Sequence, residues 1–382
     1  MRILFVTPWF PVDEADKNGK FVVDSIQSLI DQGHHITVLM TLPWHPFRPS
    51  FTQHHPLFKV YRCRYLSIPR NYCRTLSNGF YRKKVGRMIR QLAKKEPFDL
   101  IHAHTELAGL AAAEARKALQ LPTLLTLHGI DTDPKLYPHE ARYLYQEALN
   151  GVDKIILVGQ SLLPHFKRWT KRHDIFEIIP NGFWPDEVIP VQQAILSRKT
   201  THFISASNLQ VGKGIDITLN ALAKLKRLGC IDWRYTVIGD GPSRKQLEEL
   251  TARLHLQEQI FFLGQCSPQQ VSFHLSKADI FVLPSQPEAF GIAYLEAMAC
   301  GLLAIAVQGQ GPSAFITHEK TGLLLSPNNA NALCGLLQKV FQTIPRMQAI
   351  AAEGKRFVHS AFAWEHHADT LTKLYTQLKE NA

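Results

Sequence analysis

The sequence predicts an α/β protein built from two doubly wound Rossmann-like domains. Three observations support this prediction: strand-like and helix-like runs alternate along the chain, the alternation pauses at about residues 183–200, and it then resumes. Short, continuously apolar strands are typical of a parallel sheet that is covered by helices on both faces. At 382 residues the chain also exceeds one small module, since a domain holds roughly 100–200 residues.

Each half of the chain contains five strand-like runs. Those of the first half lie at residues 2–7, 35–40, 99–104, 123–127 and 153–158, with a helix predicted at 19–32. Those of the second half lie at residues 202–206, 235–239, 260–263, 279–283 and 302–306. Helices end the chain, the last at about 363–380, where we expect His366 and His367 to face solvent. Ligands of doubly wound domains bind at the carboxyl ends of the strands, so we expect a ligand cleft between the two domains.

Composition excludes several classes of protein. A chain that is 45% hydrophobic and 20% charged is typical of a globular enzyme rather than a disordered or fibrous protein. No run approaches the roughly 18–20 apolar residues of a membrane span, and residues 1–7 are followed by Pro8 without a signal-peptide cleavage pattern. The six cysteines are scattered, with no Cys-x-x-Cys, so we expect reduced thiols, a cytoplasmic protein and no zinc site.

The charge of the chain is unevenly distributed. The net charge is +11, and residues 1–180 hold 25 basic against 16 acidic side chains. No acidic residue lies between Asp31 and Glu96, whereas residues 48–95 are rich in lysine and arginine. Such a surface attracts anionic lipid, nucleic acid or phosphorylated substrates. No RNA- or DNA-binding motif accompanies it, so we expect no nucleic-acid partner.

Residues 74–95 of this interval read as a basic amphipathic helix. Apolar side chains recur at helical spacing at Tyr81, Val85, Met88, Ile89 and Leu92. A basic amphipathic helix is typical of a membrane-surface contact. The alternative is an ordinary helix that packs its apolar stripe on the sheet and leaves a solvated basic face. We favour the membrane contact, because an acid-free interval of this length is unusual.

The segment 284–301 carries the most informative motif. A strand-like run leads into a Pro-rich turn with Glu288, and a Gly-initiated helix follows that holds Glu296 and stops at Gly301. The bare N–H groups of a helix start, with Gly291 allowing close approach, bind anions or hydroxyls. Two carboxylates at one crevice suit a polyhydroxylated ligand, since each accepts two hydroxyl hydrogen bonds. The alternative is an acidic first turn that the helix dipole favours, with Glu296 in solvent.

Glu288 and Glu296 belong to the pattern E-x-F-G-x-x-x-L-E-A-M-A-C-G, which resembles the signature of the group 1 retaining glycosyltransferases (family 4 of the sequence-based classification). Other segments follow in the family's order: residues 18–22 (NGKFV), 32–38 (QGHHITV), 102–104 (HAH), 126–129 (TLHG), 179–182 (IPNG), 237–242 (VIGDGP), 262–264 (FLG), 278–285 (ADIFVLPS) and 363–365 (AWE). The resemblance covers nearly the whole chain. It implies the GT-B fold, in which two Rossmann-like domains face a cleft and a C-terminal helix returns toward the N-domain.

The pause in the strand–helix alternation and the resemblance together imply a division of the chain. Residues 1–182 would form the acceptor domain, 183–200 the linker, 201–362 the nucleotide-sugar donor domain and 363–382 the helix that packs back toward the N-domain. Closure of the cleft would exclude water from an oxocarbenium-like centre.

The donor-binding residues that the resemblance implies lie in the C-domain. Glu288 would bind hydroxyls of the donor sugar, and Glu296 would bind the ribose of the nucleotide. The backbone of Phe290, Gly291 and Ile292 would hold the sugar and the diphosphate.

The resemblance implies roles for residues outside that motif as well. Lys213 would neutralise the leaving diphosphate, where a cation stabilises developing negative charge. Asn208 stands where many members carry arginine, so it adds a hydrogen-bond donor without a charge, and Lys213 would provide most of the compensation. Gly19 would let the N-domain loop approach the phosphates, and His128 would line the reacting centre. Lys213, Glu288 and His128 are therefore the expected catalytic residues.

Three further patterns are weaker. Residues 131–133 (DTD) form a D-x-D, which chelates a nucleotide-bound metal in a different glycosyltransferase fold, and which often arises by chance. His102, His104 and His128 would suffice for a three-imidazole metal site. We favour histidines that line a polar cleft, with His104 in contact with the acceptor, and we expect no metal. Residues 239–242 (GDGP) do not match G-x-G-x-x-G, and no Walker A sequence exists, so we expect no dinucleotide cofactor.

These features predict a metal-independent glycosyltransferase that lies in the cytoplasm, peripherally on the membrane, and uses a nucleotide-diphosphate sugar as substrate. The resemblance implies retention of anomeric configuration and a lipid-linked or polysaccharide acceptor in bacterial cell-envelope glycan synthesis (lipopolysaccharide, capsule or exopolysaccharide). Expected partners are the donor, the acceptor and an anionic membrane surface that residues 48–95 contact. Two alternatives remain open. A nucleotide-sugar epimerase on the same fold would convert donor without acceptor, and a non-catalytic glycan- or lipid-binding relative would bind without turnover.

Overall fold

The chain divides into two compact units in a computed structural model that describes residues 1–11, 19–43, 57–67, 74–129, 138–327 and 329–381. The first unit comprises Met1–Asn181 and Trp364–Ala382, and the second comprises Gly182–Ala363. Each unit is built on one parallel sheet with helices between its strands. The predicted α/β class is confirmed.

Seven parallel strands form the sheet of the first unit: β1 (Arg2–Thr7), β2 (His35–Pro43), β3 (Lys59–Tyr65), β4 (Leu100–His104), β5 (Thr123–Leu127), β6 (Lys154–Leu157) and β7 (Phe176–Ile178). Their spatial order is β3-β2-β1-β4-β5-β6-β7. Sequence analysis missed β3 and β7, which lie at the two edges of the sheet. β3 is interrupted by basic side chains and β7 has three residues, so neither shows a long apolar run.

Helices α1 (Lys20–Asp31), α2 (Arg74–Lys95), α3 (Glu106–Leu119), α4 (Pro138–Gly151) and α5 (Leu163–Lys167) connect these strands. The apolar stripe of α2 is buried, since Tyr81, Val85, Ile89 and Leu92 are at most 1% exposed. This stripe therefore stabilises the core, as in the ordinary-helix alternative, and the exposed side of α2 is basic. None of the helices in the described ranges has the length and apolarity that a bilayer crossing requires.

Six parallel strands form the sheet of the second unit: β8 (Thr201–Ala206), β9 (Trp233–Ile238), β10 (Ile260–Gly264), β11 (Ile280–Val282), β12 (Leu303–Val307) and β13 (Leu323–Leu325). Their order is β10-β9-β8-β11-β12-β13. The accompanying helices are α6 (Ile215–Arg227), α7 (Arg244–Arg253), α8 (Pro268–Leu275), α9 (Ile292–Cys300), α10 (Ala330–Gln342) and α11 (Ile344–Ala361). Sequence analysis missed β13, a three-residue edge strand.

Residues 183–200, which sequence analysis assigned to a linker, belong to the second unit. The N–H of Val191 donates to the carbonyl of Cys300 at 2.9 Å. The N–H of Leu196 donates to the Asp279 carboxylate at 2.9 Å, and Asp279 is 1% exposed. Buried polar contacts of this kind hold the segment against the second sheet, so it is not a free connector.

The last helix, α12 (Trp364–Glu380), belongs to the first unit. Leu371 and Tyr375 lie in its core cluster beside side chains of α1. His366 is exposed, but the prediction that His367 faces solvent is wrong. Its Nε2 lies 2.9 Å from Ser25 Oγ and its Nδ1 lies 2.7 Å from the Pro180 carbonyl. Neighbouring helix residues point about 100° apart, so one histidine of the pair faces the core.

Candidate functional site

The sequence-predicted site residues cluster where each sheet changes its strand order. β1 lies between β2 and β4 in the first unit, and β8 lies between β9 and β11 in the second. The loops after two such strands diverge and leave a ligand crevice at the carboxyl ends. Lys213 follows β8 and Glu288 follows β11, whereas His104 ends β4 and His128 follows β5. Lys213, Glu288 and His104 therefore lie at the switch points of their sheets, and His128 lies one strand farther along the first sheet.

Lys213 and Glu288 form an ion pair in the second unit. Lys213 Nζ lies 2.9 Å from Glu288 Oε2, and the two side chains are 27% and 13% exposed. The hydroxyl of Ser285 donates to the same carboxylate oxygen at 3.1 Å. A partly desolvated pair is screened less by salt than a surface pair. A cation and a carboxylate are thus held side by side at the switch point.

The loops that carry these two side chains pack backbone against backbone. Gly212 and Gly214 flank Lys213 with φ of +93° and +72°. A Cβ at Gly214 would lie 2.2 Å from the carbonyl oxygen of Pro284, and one at Gly212 would lie 2.7 Å from that of Gln286. The N–H of Gln286 donates to the Gly212 carbonyl at 2.6 Å. Only glycine allows this approach, which brings the cation to the carboxylate.

The backbone of Glu288 is anchored on both sides. Its N–H donates to Gln310 Oε1 at 2.9 Å, and its carbonyl accepts a hydrogen bond from Gly311 N at 2.8 Å. Sequence analysis missed Gln310 and Gly311. Their only signal was the short polar, Gly-rich run 308–312 (QGQGP) after β12.

The other predicted donor residues surround the start of α9. Phe290 is buried, Gly291 precedes the helix with φ of +93°, and Ile292 is its first residue. Glu296 lies in the second turn and is half-buried. The hydroxyl of Tyr294 in the first turn of α9 donates a hydrogen bond to the carbonyl of Leu283, directly after β11.

Asn208 is exposed in the loop that follows β8. A Cβ at Gly241 would lie 2.7 Å from Asn208 Oδ1, which places the amide beside the loop after β9. This residue therefore lies on the same carboxyl-terminal edge of the sheet as Lys213.

Three histidines of the first unit lie close together: His102 and His104 are buried, and His128 is half-buried. His104 Nδ1 lies 2.9 Å from His128 Nε2, with the rings stacked at 5.2 Å and 14°. His102 Nδ1 and Nε2 lie 2.6 Å from the hydroxyls of Tyr375 and Thr126, respectively. Burial lowers the pKa of all three imidazoles, that of His104 to about 3, so they are neutral at pH 7. Within the described part of the chain no three His, Cys, Asp or Glu side chains form a metal-binding group.

Two aromatic rings pack against His128, which is half-buried. The ring of Phe21 lies 4.5 Å from it and that of Trp9 lies 5.5 Å from it. Gly19 directly precedes α1, and a Cβ there would lie 2.3 Å from the Trp9 carbonyl oxygen. Asn18 and the D-x-D at 131–133 lie outside the described residues.

A surface groove of about 570 Å³ lies between β3 and α2. Its lining combines apolar and basic side chains: Cys63, Leu66, Phe80, Lys83, Lys84, Arg87, Met88 and Gln91. Arg82, by contrast, faces Glu114 at 3.0 Å and Glu147 at 2.7 Å. The basic surface of α2 is thus partly neutralised at Arg82, while the groove side keeps its positive charge.

Two family models match the chain. The model of glycosyltransferase family 4 matches residues 19–187, and that of glycosyl transferases group 1 matches residues 191–357. One match lies almost wholly in the first unit and the other lies in the second.

Individual proteins agree with the family models. An uncharacterized glycosyltransferase of Methanocaldococcus jannaschii is 29% identical over 302 residues, which cover 78% of this chain and 80% of that protein. The amylovoran biosynthesis glycosyltransferase AmsK of Erwinia amylovora is 23% identical, over 98% of this chain and 100% of its own.

Solved structures show the same fold. The sucrose-phosphate synthase of Thermosynechococcus elongatus has a TM-score of 0.84 at 22% identity over the whole of both chains. Anabaena HepE in complex with UDP and glucose has a TM-score of 0.75 at 18% identity, over 99% of this chain and 100% of that one. These structures show the GT-B fold, and the two family models together show that the chain belongs to the glycosyltransferases, with a family 4 match in its first part and a group 1 match in its second.

Proposed function

We propose that this glycosyltransferase moves a sugar from a nucleotide-diphosphate sugar to a lipid-linked or polysaccharide acceptor in bacterial cell-envelope glycan synthesis. The Lys213–Glu288 pair is the observation that carries the proposal. A nucleotide-diphosphate sugar has an anionic phosphate directly beside sugar hydroxyls, so its recognition requires a cation next to a hydroxyl acceptor. Lys213 and Glu288 supply both at a separation of 2.9 Å. The complex of HepE with UDP and glucose, and the role of AmsK in amylovoran biosynthesis, support this choice.

In this proposal the sugar hydroxyls bind to Glu288. Its Oε2 accepts hydrogen bonds from Lys213 and Ser285, whereas Oε1 has no hydrogen-bond partner among the described residues. Oε1 would therefore accept from the donor sugar. Lys213 would stabilise the negative charge that develops on the leaving diphosphate.

The rest of the donor would lie along α9. Backbone N–H groups at a helix start bind phosphate, so Phe290, Gly291 and Ile292 would hold the diphosphate and the sugar. Glu296 would bind the ribose. Asn208 would add a neutral hydrogen-bond donor, which leaves Lys213 as the main compensating cation.

We infer retention of configuration and metal independence from the family resemblance. In the front-face route, the acceptor oxygen bonds to the anomeric carbon on the face from which the diphosphate departs. The electron pair of the broken C–O bond goes to the diphosphate, and a leaving-group phosphate oxygen takes the acceptor's hydroxyl proton. His128 would line this centre and His104 the acceptor side.

The membrane part of the proposal depends on the basic surface of the first unit. Lys83, Lys84 and Arg87 border the groove between β3 and α2, where Leu66 and Phe80 are 51% and 42% exposed. Each basic residue near an anionic bilayer contributes about 1 kcal/mol. We therefore expect peripheral binding on the cytoplasmic face. Co-sedimentation with anionic but not with zwitterionic vesicles, weakened by salt, tests this binding.

A thermal-shift panel tests the donor site. UDP-, GDP-, ADP- and TDP-sugars are compared, with NAD and NADP as controls. A ligand at 100 times its dissociation constant stabilises the protein by about 2.7 kcal/mol, so one nucleotide-sugar group should raise the melting temperature. The responding donor is then incubated with lipid-linked and polysaccharide acceptors, and the anomeric configuration of the product is read by NMR.

Other outcomes would contradict the proposal. If no nucleotide-sugar raised the melting temperature of the folded protein, the proposed donor site would be wrong. Conversion of the donor without acceptor would indicate an epimerase. Unchanged turnover in Glu288→Ala would show that the donor sugar does not bind at Glu288.

A further inference from the structure

The imidazole pair of His104 and His128 has an arrangement that packing alone does not require. His104 is 2% exposed and stacks on Phe5 at 5.1 Å, while His128 is half-buried with the rings of Phe21 and Trp9 against it. Yet two of their four ring nitrogens, His104 Nε2 and His128 Nδ1, are buried without a hydrogen-bond partner among the described residues. An unsatisfied buried polar group costs about 1–3 kcal/mol. Two such atoms on one hydrogen-bonded pair are atoms that a polar ligand could satisfy.

The contact between the rings couples those two nitrogens. A neutral imidazole has one N–H and one lone pair, so the 2.9 Å contact needs one ring to donate and the other to accept. If His104 Nδ1 donates, then His128 Nδ1 carries a proton and His104 Nε2 is a bare acceptor. If His128 Nε2 donates, the two outer nitrogens exchange these roles. Each arrangement therefore offers one donor and one acceptor at opposite ends of the pair.

We propose that His104 is a positioning residue: its hydrogen bond to Nε2 of His128 leaves Nδ1 of His128 as the atom that contacts a sugar hydroxyl. This inference rests on the proposed function, in which His128 lines the reacting centre. A sugar hydroxyl both donates and accepts hydrogen bonds, so it matches either tautomer of His128. Without His104 the ring of His128 would lose its orientation, and its two nitrogens would no longer be distinguished.

Two variants of His104 separate positioning from packing. His104→Asn keeps a hydrogen-bonding atom near the place of Nδ1, and His104→Phe keeps the stacked ring but no hydrogen bond. Misplacing a group at a reacting centre by about 1 Å costs on the order of 100-fold in rate. We therefore expect kcat to fall by at least about tenfold in His104→Phe, with KM for the donor less affected, and to recover in His104→Asn.

The ring ¹⁵N chemical shifts of His128 provide a readout that does not depend on turnover. We expect the tautomer pattern of His128 to change in His104→Phe and to be restored in His104→Asn. Tyr375→Phe is the matched control, because it removes a hydrogen bond from the adjacent His102 and leaves the His104–His128 contact in place. It should lower the melting temperature without changing the tautomer of His128.

The outcomes are distinct. The inference would be overturned if the tautomer of His128 were unchanged in His104→Phe. It would also be overturned if kcat fell in both His104 variants in proportion to their loss of stability, because His104 would then be a packing residue. Absence of transfer by the wild-type protein, with an altered tautomer in His104→Phe, would overturn the proposed function and keep the hydrogen-bonded pair.

Discussion

Thr105, which directly follows His104, has a backbone conformation that residues other than glycine rarely adopt. Its φ is 91° and its ψ is 154°. Strain of this kind costs about 1–3 kcal/mol and collects at functional sites. The Thr105 hydroxyl accepts a hydrogen bond from Ala108 N at 3.4 Å, and its N–H donates to the Thr126 carbonyl at 3.2 Å. These bonds hold the strained turn that follows His104.

Two substitutions test whether this strain is real. Thr105→Gly relieves the strain but gives the unfolded chain more freedom, so we expect a free energy of unfolding equal to the wild type or about 1 kcal/mol higher. Thr105→Val keeps the strain and removes the cap, which costs about 1 kcal/mol. Urea denaturation measures both. A glycine variant less stable than the valine variant would contradict the account.

At the residue scale, sequence reasoning predicted the candidate residues but not their contacts. Lys213 and Glu288 were assigned through the family motif, and their ion pair joins residues 75 positions apart, which no local pattern reveals. Gln310, which accepts a hydrogen bond from the backbone of Glu288, does not belong to any of the family motifs. Thr105 was missed because the residue type threonine gives no indication of a positive φ.

At the scale of secondary structure, the site depends on two loops that meet after β8 and β11. Sequence analysis predicted these strands because each is a short buried apolar run. The missed strands β3, β7 and β13 are edge strands, where polar or very short segments still pair. Edge pairing depends on the neighbouring strand, so periodicity within the segment does not show it.

Gly214 and Gly229 form a matched pair for testing the loop contact. Both have positive φ, +72° and +87°, but a Cβ at Gly214 would lie 2.2 Å from Pro284 O while Gly229 has nothing within 4 Å. Gly229→Ala should lower the free energy of unfolding by about 1–2 kcal/mol, which is the cost of placing alanine in a left-handed backbone conformation.

Gly214→Ala should lower the free energy of unfolding by about 2 kcal/mol more than Gly229→Ala does, because the Pro284 backbone must move. It should also lower turnover, since that movement displaces Glu288. Thermal unfolding and transfer assays measure both effects. Equal stability of the two variants would show that the loops do not depend on this close approach.

At the scale of the whole molecule, buried histidines make stability depend on pH. Desolvation is the largest cause that lowers the pKa of His104 to about 3, and of His367 and His202 to about 4. The unfolded chain binds these protons near pH 6.5, whereas the folded chain does not. Their contribution to stability is therefore complete above pH 6.5 and is lost as the pH falls toward the folded values.

Between pH 7 and pH 5, the free energy of unfolding should fall by at least about 2 kcal/mol, the loss expected from one such histidine. Carboxylates with lowered pKa, such as Asp99 and Glu319, titrate below this window and do not contribute. Urea unfolding at the two pH values is the measurement. Equal stability at pH 7 and pH 5 would mean that the histidines are not desolvated.

The central claim is that Lys213 binds the diphosphate of a nucleotide-sugar and Glu288 binds its sugar hydroxyls. Isothermal titration calorimetry tests this claim most directly. The affinities of wild type, Lys213→Met and Glu288→Gln are measured for two ligands: the nucleoside diphosphate and the nucleotide-sugar that the thermal-shift panel identifies. Loss of a charged hydrogen bond costs about 1.5–3 kcal/mol, or roughly 10- to 150-fold in affinity. Lys213→Met should weaken both ligands, and Glu288→Gln should weaken the nucleotide-sugar alone. Equal weakening of both ligands by Glu288→Gln, or no effect of either substitution, would contradict the account.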